Sequence, residues 1–319
     1  MVASRALRER PRRPWRRLIV LIAIGAGLVG AALGVKYFWL SRPVGSGPVD
    51  IAVPREAFEH VWTTRDVLLL GIGDSITEGY GARPGYNYFD RLVANPDDEF
   101  YDMQGVCLSS VLPNLRARND AVSCSTSLDH WQRLPFKLPL QPPETLGLIV
   151  MTSGGNDIIH DYGRSPPCEG AMYGATLAQA RPWIEAYEKR LDAMIAHILA
   201  AFPGGCHIFL ANIYDPTDGV GDAATAGLPR WDDALAILGA YNEIIADCAA
   251  RHEAVHLVDI HSAFLGHGIH CTQTWREHYR PDDPHYWYYP NLEDPNERGY
   301  DAIRRLFLRE IASVLATDE

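Results

Sequence analysis

Four short apolar runs, each stopped by glycine or an acid and separated by stretches of helical periodicity, do most to limit what this chain can fold into. Val67–Gly73, Leu146–Thr152, Cys206–Tyr214 and Ala254–Ile260 read as strands buried on both faces. Glu99–Gln104 is a weaker fifth candidate. Leu177–Phe202, Trp231–Ala250 and Glu297–Leu315 carry apolar residues at helical spacing, and the first of these stops before Pro203-Gly204-Gly205. Strands alternating with helices predict βαβ units and an α/β fold, with a five-stranded parallel sheet covered on both faces. Ligands in such sheets bind beyond the carboxyl ends of the strands. That rule lines up Gly73-Asp74-Ser75, Gly154-Gly155-Asn156-Asp157 and the Tyr214-Asp215 turn along one rim.

Gly-Asp-Ser closing the first strand, with Gly-Asn-Asp closing a later one some eighty residues on, resembles the GDSL-type or SGNH hydrolase family. The ending "NERGYDAI" is similar to the last helix of that family. The likeness runs from about Val67 to Phe307. It implies a three-layer α/β/α sandwich of flavodoxin-like topology, hydrolysis of esters, and no cofactor. Ser75 is then the nucleophile and Asn156 a side-chain donor to the oxyanion. The chemistry agrees. A serine hydroxyl needs a base to become a nucleophile. A tight strand-to-helix turn presents Ser75 to solvent and puts its N–H at a helix start, where it can donate to a developing oxyanion. Taken alone, Asn156 reads as an Asx turn; paired with Ser75 it reads as catalytic.

The family's remaining oxyanion donor is a glycine N–H after the second strand. The corresponding stretch is read as "MQGVCLSS", which offers Gly105, with Leu108 at the usual later glycine position.

The family's base is a histidine in Asp-x-x-His-Pro just before the last helix. Aligned on "PNERGY", Asp294 occupies that histidine's place. Asp294, Pro295 and Glu297 also read as cap, first position and third position of a helix. Nine residues upstream, Asp282-x-x-His285 restores the family spacing. The expected base is therefore His285, oriented by Asp282. His261, His267, His270 and His278 are rivals for the role. The first three also raise a zinc site, but they lack clear ligand spacing, so no metal is expected. "DPTDGVGD" (Asp215–Asp222) looks like a calcium loop but misses the EF-hand spacing, and reads as a polar turn.

The N-terminus belongs to another class of structure. Leu18–Val35 is eighteen residues without a charge, and Tyr37–Leu40 extend it past Lys36. Seven arginines precede it, which predicts a retained anchor with its N-terminus in the cytoplasm; a cleaved signal peptide would have a shorter core and a cleavage site. The expected division is a basic cytoplasmic segment 1–17, a transmembrane signal anchor 18–40, a linker 41–60 and a hydrolase-like domain 61–319. The linker is rich in Pro and Gly. Residues 1–42 hold nine Lys/Arg and one acid, so the remainder carries 20 basic and 39 acidic residues. A body that acidic repels phosphates, which argues against nucleic acid partners.

All six cysteines follow the apolar segment, and their number is even, as expected in an oxidising compartment. No Cys-x-x-Cys pair occurs. Six cysteines allow fifteen pairings, of which Cys107–Cys124, Cys206–Cys248 and Cys168–Cys271 are the ones expected.

The chain thus reads as a membrane-anchored extracytoplasmic serine esterase working through an acyl-enzyme. Its substrate is an ester-bearing small molecule, a lipid or an acylated polysaccharide. Tyr286, Trp287, Tyr288 and Tyr289 line a substrate pocket or fill the core. The alternatives are an O-acetyltransferase acting on a cell-envelope carbohydrate and a non-catalytic binding module on the same fold.

Overall fold

The computed structural model describes residues 14–316. The basic segment 1–17 therefore falls largely outside the described residues. The chain divides into two compact units between Ser41 and Arg42.

The first unit is one helix, α1 (Pro14–Val35), continued by a wider π-helical turn through Leu40. Arg17–Leu40 has a mean hydropathy of 2.6 and is long and apolar enough to cross a membrane.

The second unit carries five strands: β1 (Val67–Ile72), β2 (Leu115–Asn119), β3 (Leu146–Met151), β4 (Cys206–Ala211) and β5 (Val255–Val258). All pair in parallel, in the order β2-β1-β3-β4-β5. Among the described residues nine α-helices are interspersed: α2 (Ser75–Glu78), α3 (Tyr88–Val93), α4 (Leu108–Val111), α5 (Ser127–Lys137), α6 (Gly155–Ile159), α7 (Leu177–Ala201), α8 (Ala234–Arg251), α9 (Ile260–Phe264) and α10 (Glu297–Leu315).

Side chains alternate across the sheet, so each strand feeds two cores. Val67 and Leu69 of β1 face Tyr88, Leu92, Ile303 and Phe307 of α3 and α10. Leu68 and Leu70 face Leu134, Leu191, Ile195 and Ile237 of α5, α7 and α8. The result is the expected three-layer sandwich with a five-stranded parallel sheet. β1 is flanked by β2 on one side and β3 on the other. The chain reverses its direction of travel there, and a crevice opens beyond the ends of β1 and β3.

Two expectations change. Glu99–Gln104 is no strand; Tyr101–Met103 form a single 3₁₀ turn. The second strand is Leu115–Asn119, "LRARN", whose side chains are half-buried or exposed. It is an edge strand, and its arginines hide it from an apolar-run criterion. Residues 42–60, expected as a linker, lie against the body. Val49 and Phe58 are buried in the core, the Val49 N–H donates to Asp301, and Arg305 donates to the Ile51 carbonyl.

Candidate active site

β1 ends at Gly73, where a Cβ would fall 2.3 Å from Thr152 Oγ1 and 2.7 Å from Thr77 Oγ1. Only glycine lets β1 and β3 approach this closely. Asp74 caps α2 by accepting from the Ile76 N–H at 3.1 Å, and takes a second bond from Thr152 Oγ1 at 3.0 Å. Ser75 is the first residue of α2. Its N–H has no acceptor within the helix, as at any helix start, and its side chain lines a cleft. Burial pushes the Asp74 carboxyl up to about 6, against the pull of Thr152 and Ile76.

β3 ends in the matching turn. Gly154 sits at φ 98, and a Cβ there would meet Tyr241 at 2.9 Å. This left-handed step starts α6 and brings Asn156 to the same cleft wall as Ser75. One hydrogen of Asn156 Nδ2 goes to the Ser125 carbonyl at 2.9 Å; an amide has a second to give. Ser75 and Asn156, expected to converge, both face this cleft.

The loop after β2 closes the rim. Val122 N–H donates to the Gly73 carbonyl, and Ser123 N–H to Glu78 of α2 at 2.7 Å. Ser125 Oγ meets His130 Nε2 at 2.8 Å, and His130 Nδ1 meets Ser153 Oγ at 3.0 Å. Burial holds His130 down at about 4, so it braces the rim as a neutral ring. Between Ser123 and Ser125, Cys124 is exposed and left-handed at φ 62. Its N–H makes no hydrogen bond among the described residues. Gly105, expected in the oxyanion region, is elsewhere: it does not line the cleft, and its N–H is taken by Asn95 Oδ1 at 2.8 Å. Leu108 is fully buried. The second strand is Leu115–Asn119, so the loop that follows it begins at Asp120 and not at the stretch around Gly105.

His285 does not reach Ser75. Its Nδ1 hydrogen-bonds Asp283, which is also clamped by Arg298 Nη2 at 2.8 Å, and its Nε2 edge packs over Gly45. Asp282 makes no bond to it and lines a separate hollow with Asp50 and Tyr279. The Asp-x-x-His spacing is satisfied in the sequence, but the ring lies against Gly45. Among the described residues no histidine lines the Ser75 cleft. His261 bonds the Ile213 carbonyl, His267 stacks on Trp287, His270 meets Asp222, and His278 lies against Gly219.

Asp294, read in the sequence as a helix cap, is not one. Asn296 caps α10, accepting from the Arg298 and Gly299 N–H groups. Asp294 is buried close to Ser75, whose hydroxyl favours the ionised form of its carboxyl. The only sequence signal for this was its alignment with the family histidine.

The cleft together with the open space at its mouth is about 920 Å³. Beyond Ser75 and Asn156 its walls are mainly apolar, including Ile158, Tyr162, Tyr173, Trp231, Leu235 and Leu238. Tyr286, Trp287 and Tyr288 are core residues, and Tyr289 packs on Tyr80. In the Asp215–Asp222 loop, Asp215 and Asp218 accept from backbone N–H groups of Thr217, Gly219, Gly266, Gly268 and His270.

None of the expected disulfides is present; all six cysteines are free. Cys107 turns its sulfur to Ser109 and Ser110, while Cys124 is exposed on the rim. Cys248 lies near Asp192 and His252, and Cys271 is buried whereas Cys168 is exposed.

Among curated proteins none matches the chain. Solved structures do. A variant of Axe2, an acetyl xylan esterase from Geobacillus stearothermophilus, is 20% identical with a TM-score of 0.50, over 79% of this chain and 97% of that one. LAE5, an alpha/beta hydrolase enzyme from the metagenome of Lake Arreo, is 20% identical with a TM-score of 0.48, over 81% and 100%. A lipolytic protein of the G-D-S-L family from Veillonella parvula is 13% identical with a TM-score of 0.46, over 76% and 96%. At these identities the likeness concerns the fold. The sequence profile of the GDSL-like Lipase/Acylhydrolase family matches residues 72–302, most of the chain. A serine at the end of β1 and an asparagine at the end of β3 facing one cleft in a parallel α/β sandwich agree with that match: the chain belongs to the GDSL-like lipase/acylhydrolase family of ester-cleaving hydrolases.

Proposed function

We propose that this chain is a membrane-anchored serine esterase with its catalytic unit outside the cytoplasm, cleaving carboxylic esters with a lipophilic acyl chain in two steps. The observation that carries the reading is the shared cleft of Ser75 and Asn156. Ser75 Oγ attacks the ester carbonyl. The oxyanion is met by the Ser75 N–H and by the free hydrogen of Asn156 Nδ2; the third donor we assign is the Cys124 N–H, on the loop whose Val122 and Ser123 bond Gly73 and Glu78. The alcohol departs, and water releases the acid by the same route. The apolar walls favour an acyl chain over a sugar ring as the group held in the cleft. The bias of seven arginines before the apolar run at Leu18 supports a cytoplasmic N-terminus; the free cysteines lend no support to the compartment.

Labelling by a fluorophosphonate tests the nucleophile. Wild-type protein should be labelled and hydrolyse nitrophenyl esters, with longer acyl chains preferred to acetyl. The variant Ser75→Ala should do neither; full labelling of that variant overturns the assignment. Protease added outside intact cells should cut the catalytic unit, and protection would overturn the orientation.

A further inference from the structure

Resting on the serine-esterase reading, we propose that Asp294 is the general base for Ser75 and Asn291 its positioning residue, so that a Ser75–Asp294–Asn291 relay does the work of a Ser–His–Asp triad.

Geometry comes first. Leu292 and Glu293 line the Ser75 cleft, and Asp294 follows them, 2% exposed. Its carboxylate is held from one side. Oδ2 accepts from Asn291 Nδ2 at 2.7 Å, and its own N–H is tied to Asn291 Oδ1 at 3.2 Å. Its carbonyl accepts from the Tyr289 N–H at 2.7 Å, which fixes the backbone. Oδ1 is buried and completes no hydrogen bond of normal geometry among the described residues. A buried acceptor without a partner costs stability and asks for a reason. The Ser75 hydroxyl is near enough to interact with this carboxylate. Such contacts are commonly long until substrate tightens them.

No imidazole competes. The rings of His285 and His130 are both committed elsewhere, and no other histidine lines the cleft among the described residues.

The surroundings make the carboxylate a stronger base than usual. Burial comes first in pushing Asp294 above the ordinary range, the Ser75 hydroxyl and Asn291 pull it back, and Glu78 pushes again. Asp74 and Glu293 also face it, with the phenols of Tyr214 and Tyr300. Burial and the Asp294 charge raise Glu293 to about 7. A carboxylate so placed repels a second negative charge and gains from taking a proton.

The step balances. As the Oγ–C bond forms, the hydroxyl proton moves to Asp294 and the carbonyl π pair moves to oxygen. The neutral carboxylic acid then protonates the leaving alcohol oxygen as the C–O bond breaks. Attack by water repeats the transfer and regenerates the hydroxyl and the carboxylate. With the substrate counted, the site keeps one negative charge throughout, on Asp294 or on the oxyanion.

The test uses the full chain in detergent, with nitrophenyl ester hydrolysis and the pH profile of kcat/KM as readouts. Asp294→Asn, near-isosteric, should lose roughly 100-fold or more while still unfolding at the wild-type temperature. Asp294→His should recover part of that loss by placing an imidazole at the same point. His285→Ala should stay within about threefold of wild type, as a general base contributes far more. Glu78→Gln should move the acid limb to lower pH, because the neighbouring negative charge that raises Asp294 is removed; this arm stands if Asp294→Asn does not fold. Wild-type-like activity in Asp294→Asn, or an unmoved limb in Glu78→Gln, overturns the proposal while an inactive Ser75→Ala keeps the esterase reading. An active Ser75→Ala instead overturns that reading itself.

Discussion

Asn291 holds Asp294 by two bonds and the preceding residue by a third: Nδ2 donates to the Asp294 carboxylate at 2.7 Å, and Oδ1 accepts from the N–H groups of Asp294 and Glu293, each at 3.2 Å. One side chain thereby sets both the position of the carboxylate and the curvature of the loop carrying it. A hydrogen bond to a charged group contributes about 1.5–3 kcal/mol, which corresponds to about one unit of pKa or more.

Removing that donor has a signed consequence. The bond favours the ionised form, so Asn291→Ala should raise the Asp294 pKa and carry the acid limb of kcat/KM to higher pH by about one unit. The rate at the plateau should fall about tenfold, because the base is less well aimed. A residue that merely shaped the loop would lower the rate without moving the limb, and the pH profile separates the two.

Asn156 should act on the transition state alone. Its side chain faces the cleft beside Ser75 and keeps one hydrogen for a developing charge. Loss of one oxyanion donor costs roughly 100-fold in kcat. Asn156→Ala should therefore lower kcat by about that factor and leave KM close to the wild-type value. A rise in KM with kcat intact would mean that Asn156 holds the substrate instead.

The sheet was readable because its three inner strands, β1, β3 and β4, are buried almost throughout and so appear as apolar runs, while β5 at one edge still carries Val255, Leu257 and Val258. Leu146–Met151 and Cys206–Ala211 begin where the periodicity puts them. Leu115–Asn119 was not readable: on this edge strand only Leu115 packs against the core, and Arg116 and Arg118 break the apolar pattern. The same contrast holds in the site. Ser75 and Asn156 follow strand ends, where local sequence decides geometry. Asp294 depends on Asn296 taking the cap of α10, a choice between two acceptors two residues apart that tertiary packing decides. His285 had the spacing of a catalytic histidine and the surroundings of a structural one.

Cys124 carries strain that glycine would relieve. It is a non-glycine residue at φ 62 on the rim of the site. The left-handed conformation costs an ordinary residue about 1 kcal/mol or more. Glycine gives part of that back through its freer unfolded state, so Cys124→Gly should stabilise the fold by about 0.5 kcal/mol. The backbone N–H survives the change, so activity should too. In the native wild type, a thiol reagent should modify Cys124 and Cys168, the two exposed cysteines, and reach the four buried ones only on unfolding. Modification at 124 should slow ester cleavage, because bulk is added beside the oxyanion donors.

Stability should peak in mildly acid solution, for two opposed reasons. Burial raises Asp74 to about 6, and burial with the Asp294 charge raises Glu293 to about 7. Groups raised in the fold bind protons more tightly there than in the unfolded chain. Their contribution is full below the ordinary carboxylate pKa of about 4 and fades as pH rises through 6 to 7. Glu99 and Asp301 oppose this. Burial would raise both, but Arg91 and Arg304 hold Glu99 below its ordinary value, and Arg304, Arg305 and Arg91 do so for Asp301. Groups lowered in the fold stabilise it above the ordinary value and stop doing so as pH falls through the folded one. Unfolding temperature should therefore rise from pH 7 toward about pH 5 and drop sharply below about pH 4. Glu99 is the side chain to remove. It accepts from Arg91 Nη2 and Arg304 Nη1, each at 2.6 Å, with all three side chains at most 4% exposed. Glu99→Ala leaves two buried guanidinium groups competing for Asp301, and loss of one partner from such a pair costs about 3–5 kcal/mol. That variant should unfold far below the wild type at pH 7, and the gap should narrow in acid, where the wild-type carboxylate is itself protonated. A gap that stayed constant with pH would mean that Glu99 acts through packing and not through charge.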